Sequence, residues 1–285
     1  MILQTDSLPA FVTYLQREER SACTVEKYRR DVARFLTYAR GRELTKALVV
    51  SYKNDLQERD YAPRSVNSML AAVNSYLGFL GREECRVKTL RLQQSAYLPA
   101  EKELTRRELQ RLLEAACRRP QLQMVIQTIV ATGIRISELQ FFTLEAVRAG
   151  EVPIHAKGKY RIVLIPPELR RLLLAYAARR GVVSGHLFVG KSGQPLHRSS
   201  VWRAMKNLCS EAGVDQRKVF PHSLRKLFAR SFYAVDKDIA KLADVLGHSS
   251  INTTRIYIMT TGEEHRRCLR RMGLLYLADK NTAVT

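Results

Sequence analysis

Apolar residues return every three or four positions in runs between Val25 and Leu80, and then the pattern stops. Val25, Tyr28, Val32, Phe35 and Leu36 make one such stripe. Ser21 or Thr24 stands where that helix needs a cap, and Gly41 where it must end. A second helix is predicted from about Lys46 to Glu58. A third follows Pro63, with Val66, Met69, Leu70, Val73, Tyr76, Leu77 and Leu80 on its inner face and Gly81 at its end. Residues 82–103 lose the stripe and are polar and basic, with Pro99 near their close. The chain is therefore expected to divide into a helical domain over residues 1–85, a linker over 86–103 and a larger domain over 104–285.

The larger domain opens with Thr105-Arg106-Arg107-Glu108, the spacing of a capping box, ahead of Leu109, Leu112 and Leu113. An apolar helix from Leu122 to Ala131 ends at Thr132-Gly133. EVPIHA and RIVLIP, joined by the turn KGKY, give the one clear β signal, a hairpin. Helical pattern resumes after Pro166-Pro167 as far as Tyr176. HLFVG is ambiguous. From Arg198 to about Leu277 the chain reads as helices broken at Gly213, Pro221, Gly247 and Gly262. The last of these, about 262–277, has a second capping-box spacing at Thr261-Gly262-Glu263-Glu264 and a stripe of Leu269, Met272, Leu275 and Tyr276. The expected class is mostly α with a small β-sheet.

Charge narrows the partner. The chain has 285 residues, 46% of them hydrophobic, which excludes a disordered polybasic tail. It holds 48 Lys and Arg against 27 Asp and Glu, a formal net charge of +21, with most of the excess beyond residue 100. A folded chain of that charge calls for a polyanion, and nucleic acid releases counterions on binding it. An Arg-rich solvated surface or an anionic membrane surface is the alternative. No apolar run is long enough to span a membrane, and Met1 to Leu15 has no signal-peptide pattern, so a cytoplasmic location is expected. Cys23, Cys85, Cys117, Cys209 and Cys268 form no C-x-x-C pair and read as reduced thiols. His222, His248 and His265 have no carboxylate or cysteine at metal-ligand spacing, so neither a metal nor another cofactor is expected.

Four places carry candidate chemistry. Arg135 follows a glycine-ended helix with Glu138 three residues on, a phosphate grip with a steering carboxylate or an ordinary ion pair. Lys157 sits in the hairpin turn, where a lysine is either solvated or able to deliver a proton. His222 and Arg225 share a helix face just after a helix-starting proline. His248 follows Leu246-Gly247, and Tyr257 lies nine residues further; either could be structural when taken alone.

Taken in order, these residues resemble the tyrosine site-specific recombinases, the phage-integrase and Xer-like family. ATGIRISEL is similar to the family's first arginine box, AKGKYRIVLIP to its lysine hairpin, PHSLRKLFA to its second box and LGHSSINTTRIYI to its nucleophile box. TVEKYRRDVARFL and YAPRSVNSMLAAVNSYLGFL are similar to its SAM-like helical core-binding domain. The resemblance covers nearly the whole chain. Lys226 stands where many members carry a second histidine. The hairpin is short and has no glycine before Lys157, so Lys159 remains a rival for the catalytic lysine. No arm-site domain like that of the larger phage integrases is expected ahead of the first helix.

The resemblance implies an N-terminal core-binding domain and an α-rich catalytic domain that cleaves and rejoins DNA through a 3′-phosphotyrosyl intermediate, without metal or ATP. It assigns Tyr257 as nucleophile, Arg135 and Arg225 as ligands of the attacked phosphate, His222 and His248 as hydrogen-bonding or proton-accepting groups, Lys157 as general acid and Glu138 as support for Arg135. DNA contacts are expected from Arg29, Arg30, Arg34 and Arg64 in the first domain. In the second they are expected from Arg198, Ser199, Arg203 and Lys206, on a segment that resembles the family helix approaching the major groove. The implied partners are double-stranded DNA with a specific recombination site, and further copies of the chain in a tetramer on DNA that exchange the helix at about 262–277. The implied setting is the nucleoid, with accessory directionality proteins left open, as is the choice among integration, excision, resolution and transposition. A type IB topoisomerase and a catalytically silent DNA-binding regulator are the alternatives.

Overall fold

Two sequence stretches each gather their own apolar core. The computed structural model describes residues 7–92, 103–156, 159–259 and 262–272. It divides into one unit over Met1–Gln94 and a second over Ser95–Thr285.

The first unit packs four helices: α1 (Ser7–Arg17), α2 (Ala22–Ala39), α3 (Lys46–Glu58) and α4 (Pro63–Phe79). Phe11, Val32, Phe35, Tyr52, Leu70, Val73 and Tyr76 fill the space between them. Of the two candidate caps for α2, Ser21 serves: its Oγ accepts the Thr24 N–H at 3.3 Å. Helix α1 is not foreseen, although Leu8, Phe11, Val12 and Leu15 are spaced three and four apart, with Phe11 and Leu15 buried and Leu8 and Val12 packed against the same core. Asn74 on α4 donates to the Val87 carbonyl at 2.8 Å and accepts the Val87 N–H at 3.1 Å. One heptad earlier, Asn67 does the same for Leu90, at 2.9 and 2.7 Å. The segment around Val87 and Leu90, expected as the start of a linker, is thereby bound as an edge of this unit, with Val87 buried.

The second unit runs through α5 (Arg106–Ala115), α6 (Pro120–Thr132), a 3₁₀ segment (Ile136–Phe141), α7 (Leu144–Ala149), β1 (Glu151–Ala156), β2 (Lys159–Leu164), α8 (Pro167–Arg179) and α9 (Arg198–Ala212). It continues with α10 (Pro221–Val235), α11 (Ile239–Leu246), α12 (Ile251–Ile258) and α13 (Gly262–Arg271). The molecule is mostly α with a small sheet. Thr105 and Glu108 form the expected capping box: each side chain bonds the other residue's backbone N–H, at 3.2 and 2.8 Å. Helix α6 lies deep, with Val125, Ile126 and Ile129 in the main core.

The two strands pair antiparallel, from Glu151 opposite Leu164 to Ala156 opposite Lys159. Strand β2 thus begins two residues earlier than the expected turn KGKY allowed. Val152, Ile154 and Val163 face the core, whereas Tyr160, Ile162 and Leu164 are exposed, the alternation a pleated strand imposes. HLFVG forms no strand and contributes only bridges from His186 to Thr143 and from Val189 to Pro195. A break between α10 and α11, absent from the sequence expectation, is capped by Asp238, whose Oδ1 accepts from the N–H groups of Ala240 and Lys241.

A small second core of Ala229, Leu242, Leu246 and Tyr257, with Phe228 and Phe232 against it, joins α10, α11 and α12. Leu269 in α13 and Met272 just beyond its end are exposed. Leu275, Tyr276 and the Thr261 of the expected capping box lie outside the described residues. All five cysteines are free thiols.

Candidate active site

Helix α6 ends at Gly133, whose φ of +65° is left-handed. A Cβ there would stand 2.3 Å from Cδ1 of Phe228 on α10, so only glycine lets the two helices approach. The turn delivers Arg135 to the start of the 3₁₀ segment. Its backbone N–H donates to Glu138 Oε2 at 2.7 Å and its Nη1 to Glu138 Oε1 at 3.0 Å. The Arg135 guanidinium also reaches the carbonyls of Leu246 and Gly247, at 3.5 and 3.3 Å. It stays 43% exposed while Glu138 keeps only 2% of its side chain exposed. A buried carboxylate thus holds a guanidinium that still faces solvent.

Arg225, one turn into α10, is the opposite case, at 1% exposure. Its Nη1 donates to the Gly133 carbonyl and its Nη2 to the Leu246 carbonyl at 2.7 Å. Nη2 also lies 3.0 Å from His248 Nε2. A guanidinium can only donate, so Nε2 accepts and the proton of a neutral His248 sits on Nδ1. Nδ1 in turn meets Thr254 Oγ1 at 2.9 Å, and Thr254 is fully buried on α12. Burial, reinforced by Arg225, Arg135 and Arg161, drives His248 down to about 4. Burial and the Arg135 charge also push Arg225 down to about 10, which leaves it charged at neutral pH. Its Nε is buried with no protein partner.

Tyr257 on α12 is 7% exposed. Its ring lies edge-on to His222, with centroids 4.9 Å apart, and tilted against His248 at 5.0 Å. The Arg225 guanidinium carbon is 5.9 Å from its centroid. Tyr257 Oη lies 3.4 Å from His222 Nδ1. Burial first, then the charges of Lys226, Arg225 and Arg135, lower the His222 pKa, so its ring is neutral and able to accept a proton. Arg135, Glu138, His222, Arg225, His248 and Tyr257, spread over more than 120 positions of sequence, therefore meet in one place.

Lys157 lies outside the described residues; Lys159 is described only as the first residue of β2. Of the expected DNA-contact residues in the second unit, Arg198 lines a cleft of about 380 Å³ with Arg135, His222 and Arg225. Ser199 bonds His197 Nδ1 at 2.7 Å, Arg203 is exposed, and Lys206 reaches the Gln216 carbonyl while lying 5.4 Å from the Trp202 ring. In the first unit Arg29 pairs with Glu26, and Arg30 lies 3.5 Å from Asp31. Arg34 bonds Tyr61 Oη at 2.5 Å, and Arg64 is exposed.

Three residues at the site were not foreseen. Thr254 anchors His248. Exposed Trp202 lines the same cleft as Arg198. Arg161, on the inward face of β2, bonds Glu138 Oε2 at 2.7 Å. The signal for Arg161 was an arginine in register with the core residue Val163, two positions on. Among the described residues no three His, Cys, Asp or Glu side chains are grouped as a metal ion requires, and no helix is long and apolar enough to cross a membrane.

Comparison with known proteins finds matches along most of the chain. Residues 102–264 match the family model described as the phage integrase family, and residues 8–84 match its N-terminal SAM-like domain. The tyrosine recombinase XerA of Pyrococcus furiosus is 29% identical over 281 residues, covering 96% of each chain. XerC of Roseiflexus castenholzii is 31% identical over 280 residues, covering 88% of each. The lambda integrase tetramer bound to a Holliday junction shares the fold, with a TM-score of 0.71 at 16% identity over 88% of this chain and 76% of that one. Fold and relatives together define a tyrosine recombinase, an enzyme that transfers DNA strands. The chain belongs to the phage integrase family.

Proposed function

We propose that Tyr257 attacks a phosphodiester at a specific site in double-stranded DNA and stores its bond energy as a 3′-phosphotyrosyl ester. The observation that carries this reading is the packing of Tyr257 against His222, with Oη 3.4 Å from a neutral ring nitrogen and the Arg225 guanidinium nearby. As the Tyr257 oxygen bonds phosphorus, its proton passes to His222 Nδ1 and the bond to the 5′-oxygen breaks. A free phenol is a weak nucleophile, about one part in a thousand ionised at pH 7, so the barrier must be lowered electrostatically. Arg135 and Arg225 supply fixed positive charge for the non-bridging oxygens. His248, with both ring nitrogens engaged, serves as a positioned hydrogen-bonding group rather than a base. A lysine of the hairpin, Lys157 or Lys159, protonates the leaving 5′-oxygen.

A 5′-hydroxyl from a second duplex then reverses the step, expels Tyr257 and rejoins the strand. Exchanging energy between two phosphoesters requires no ATP. The lambda integrase likeness supports four copies acting on a Holliday junction, with the segment at 262–277 passed between neighbours. Residues 1–90 and 104–285 act as two DNA-gripping arms joined by 91–103, through Arg29, Arg30, Arg34, Arg64, Arg198, Ser199, Arg203 and Lys206. Such an enzyme works at the nucleoid.

A nicked suicide duplex carrying the cognate site tests the reading. Wild type becomes covalently trapped, and peptide mass spectrometry finds the adduct on Tyr257. Tyr257→Phe binds the duplex without being trapped. An adduct on any other residue, or trapping of the Phe variant, overturns the assignment.

A further inference from the structure

Glu138 is one buried carboxylate serving two arginines. Its Oε1 accepts from Arg135 Nη1 at 3.0 Å, and its Oε2 accepts both the Arg135 backbone N–H and Arg161 Nη2, each at 2.7 Å. Arg161 is 14% exposed, and its Nη1 donates to the carbonyl of Val245, in the last turn of α11. Its stem lies against Gly247, where a Cβ would come within 2.6 Å of Cδ. A single side chain therefore touches both the carboxylate that orients Arg135 and the backbone that leads into His248. Arg135 gives this carboxylate one donor on each oxygen, and Arg161 adds the third, a second full charge, on Oε2. Without Arg161, the charges of Glu138 and Arg135 would cancel, and Oε2 would keep only the Arg135 backbone N–H. With it, the trio carries one net positive charge and the Arg135 guanidinium keeps a fixed direction.

We propose that Arg161 is a positioning residue that acts on the scissile phosphate through Glu138 and Arg135. The proposal rests on the reading of Arg135 as a phosphate ligand. Arg161 makes no contact with DNA in this role; it sets where the Arg135 donors point and how much of their charge is left for the phosphate.

The test uses the full chain and three nicked suicide duplexes. One has an ordinary scissile phosphate. In the other two, a methyl group replaces one or the other non-bridging oxygen, which removes that oxygen and the negative charge. Arg161→Gln keeps a planar hydrogen-bonding head without the charge. On phosphate it is expected to form the adduct about 10²-fold more slowly than wild type, the scale of loss for a displaced catalytic group. Its DNA affinity is expected to stay close to that of wild type. Arg135→Ala regains activity relative to wild type on the stereoisomer that lacks the oxygen it would hold. Arg161→Gln is expected to regain about 10-fold on that same stereoisomer. Arg161→Lys, which keeps the charge but cannot span both acceptors, falls between wild type and Gln on phosphate.

Because the substrates are compared within one preparation, a partly unfolded variant lowers all three rates alike and leaves their ratio unchanged. A defect of equal size on all three duplexes, or a wild-type rate on phosphate, overturns the role of Arg161. A wild-type chain that forms no adduct on the phosphate duplex overturns the reading of Tyr257 itself, and the role of Arg161 with it.

Discussion

Arg225 turns its donors inward, to two backbone carbonyls and an imidazole. Arg225→Ala is therefore expected to cost stability as well as activity. It strands the carbonyl of Gly133 and leaves that of Leu246 only the 3.5 Å contact from Arg135, a loss of about 1–3 kcal/mol in a denaturant melt, while adduct formation falls by orders of magnitude. His248 gives a second expectation. Its folded pKa of about 4 lies below the ordinary 6.5, so between these values the unfolded chain binds the proton and the folded chain does not. Its contribution is complete above pH 6.5 and is lost as the pH falls toward 4, and the lowered pKa of His222 acts in the same direction. Thermal melts of wild type should lose stability across that window, and His248→Gln should show the shallower slope. Arg135, Glu138, His222, Arg225, His248 and Tyr257 were legible in the motifs, whereas Thr254, Trp202 and Arg161 were not. That Arg225 is buried, that His248 has both nitrogens spoken for and that Arg161 shares Glu138 was not, because burial and partner choice depend on segments far away in sequence.

Elements were legible where one face repeats. Helices α2, α3, α4 and α6 follow directly from stripes bounded by glycine, proline or a hydroxyl cap. Helix α1 was missed although Leu8, Phe11, Val12 and Leu15 lie at helical spacing, and the break at Asp238 escaped because a cap residue inside a helical run reads as surface. The paired asparagines on α4 are the clearest omission. Polar residues seven apart look like a solvated face, yet Asn67 and Asn74 each bind both polar groups of one backbone residue. Asn74→Ala leaves the N–H and carbonyl of Val87 without those partners. The expected loss is about 1–2 kcal/mol, read as a lower urea midpoint with an unchanged slope.

At the scale of the molecule, two units and a net charge of +21 make phosphates the expected main source of DNA-binding energy. Its affinity for duplex DNA should fall about 10³-fold between 50 and 200 mM salt, measured by fluorescence anisotropy, as expected if six or more phosphates are neutralised. A flat response would deny the charge that role. Composition made the polyanion legible, and the order of the motifs made the class legible. Which cations stay available was not, since Arg29 pairs with Glu26 and Lys206 reaches the Gln216 carbonyl. The accessibility of the site also sets a sequence of events. Arg135 keeps 43% of its side chain in solvent, Tyr257 7% and Arg225 1%. On the roles proposed above, an approaching duplex reaches the handhold of Arg135 before it reaches the blade of Tyr257.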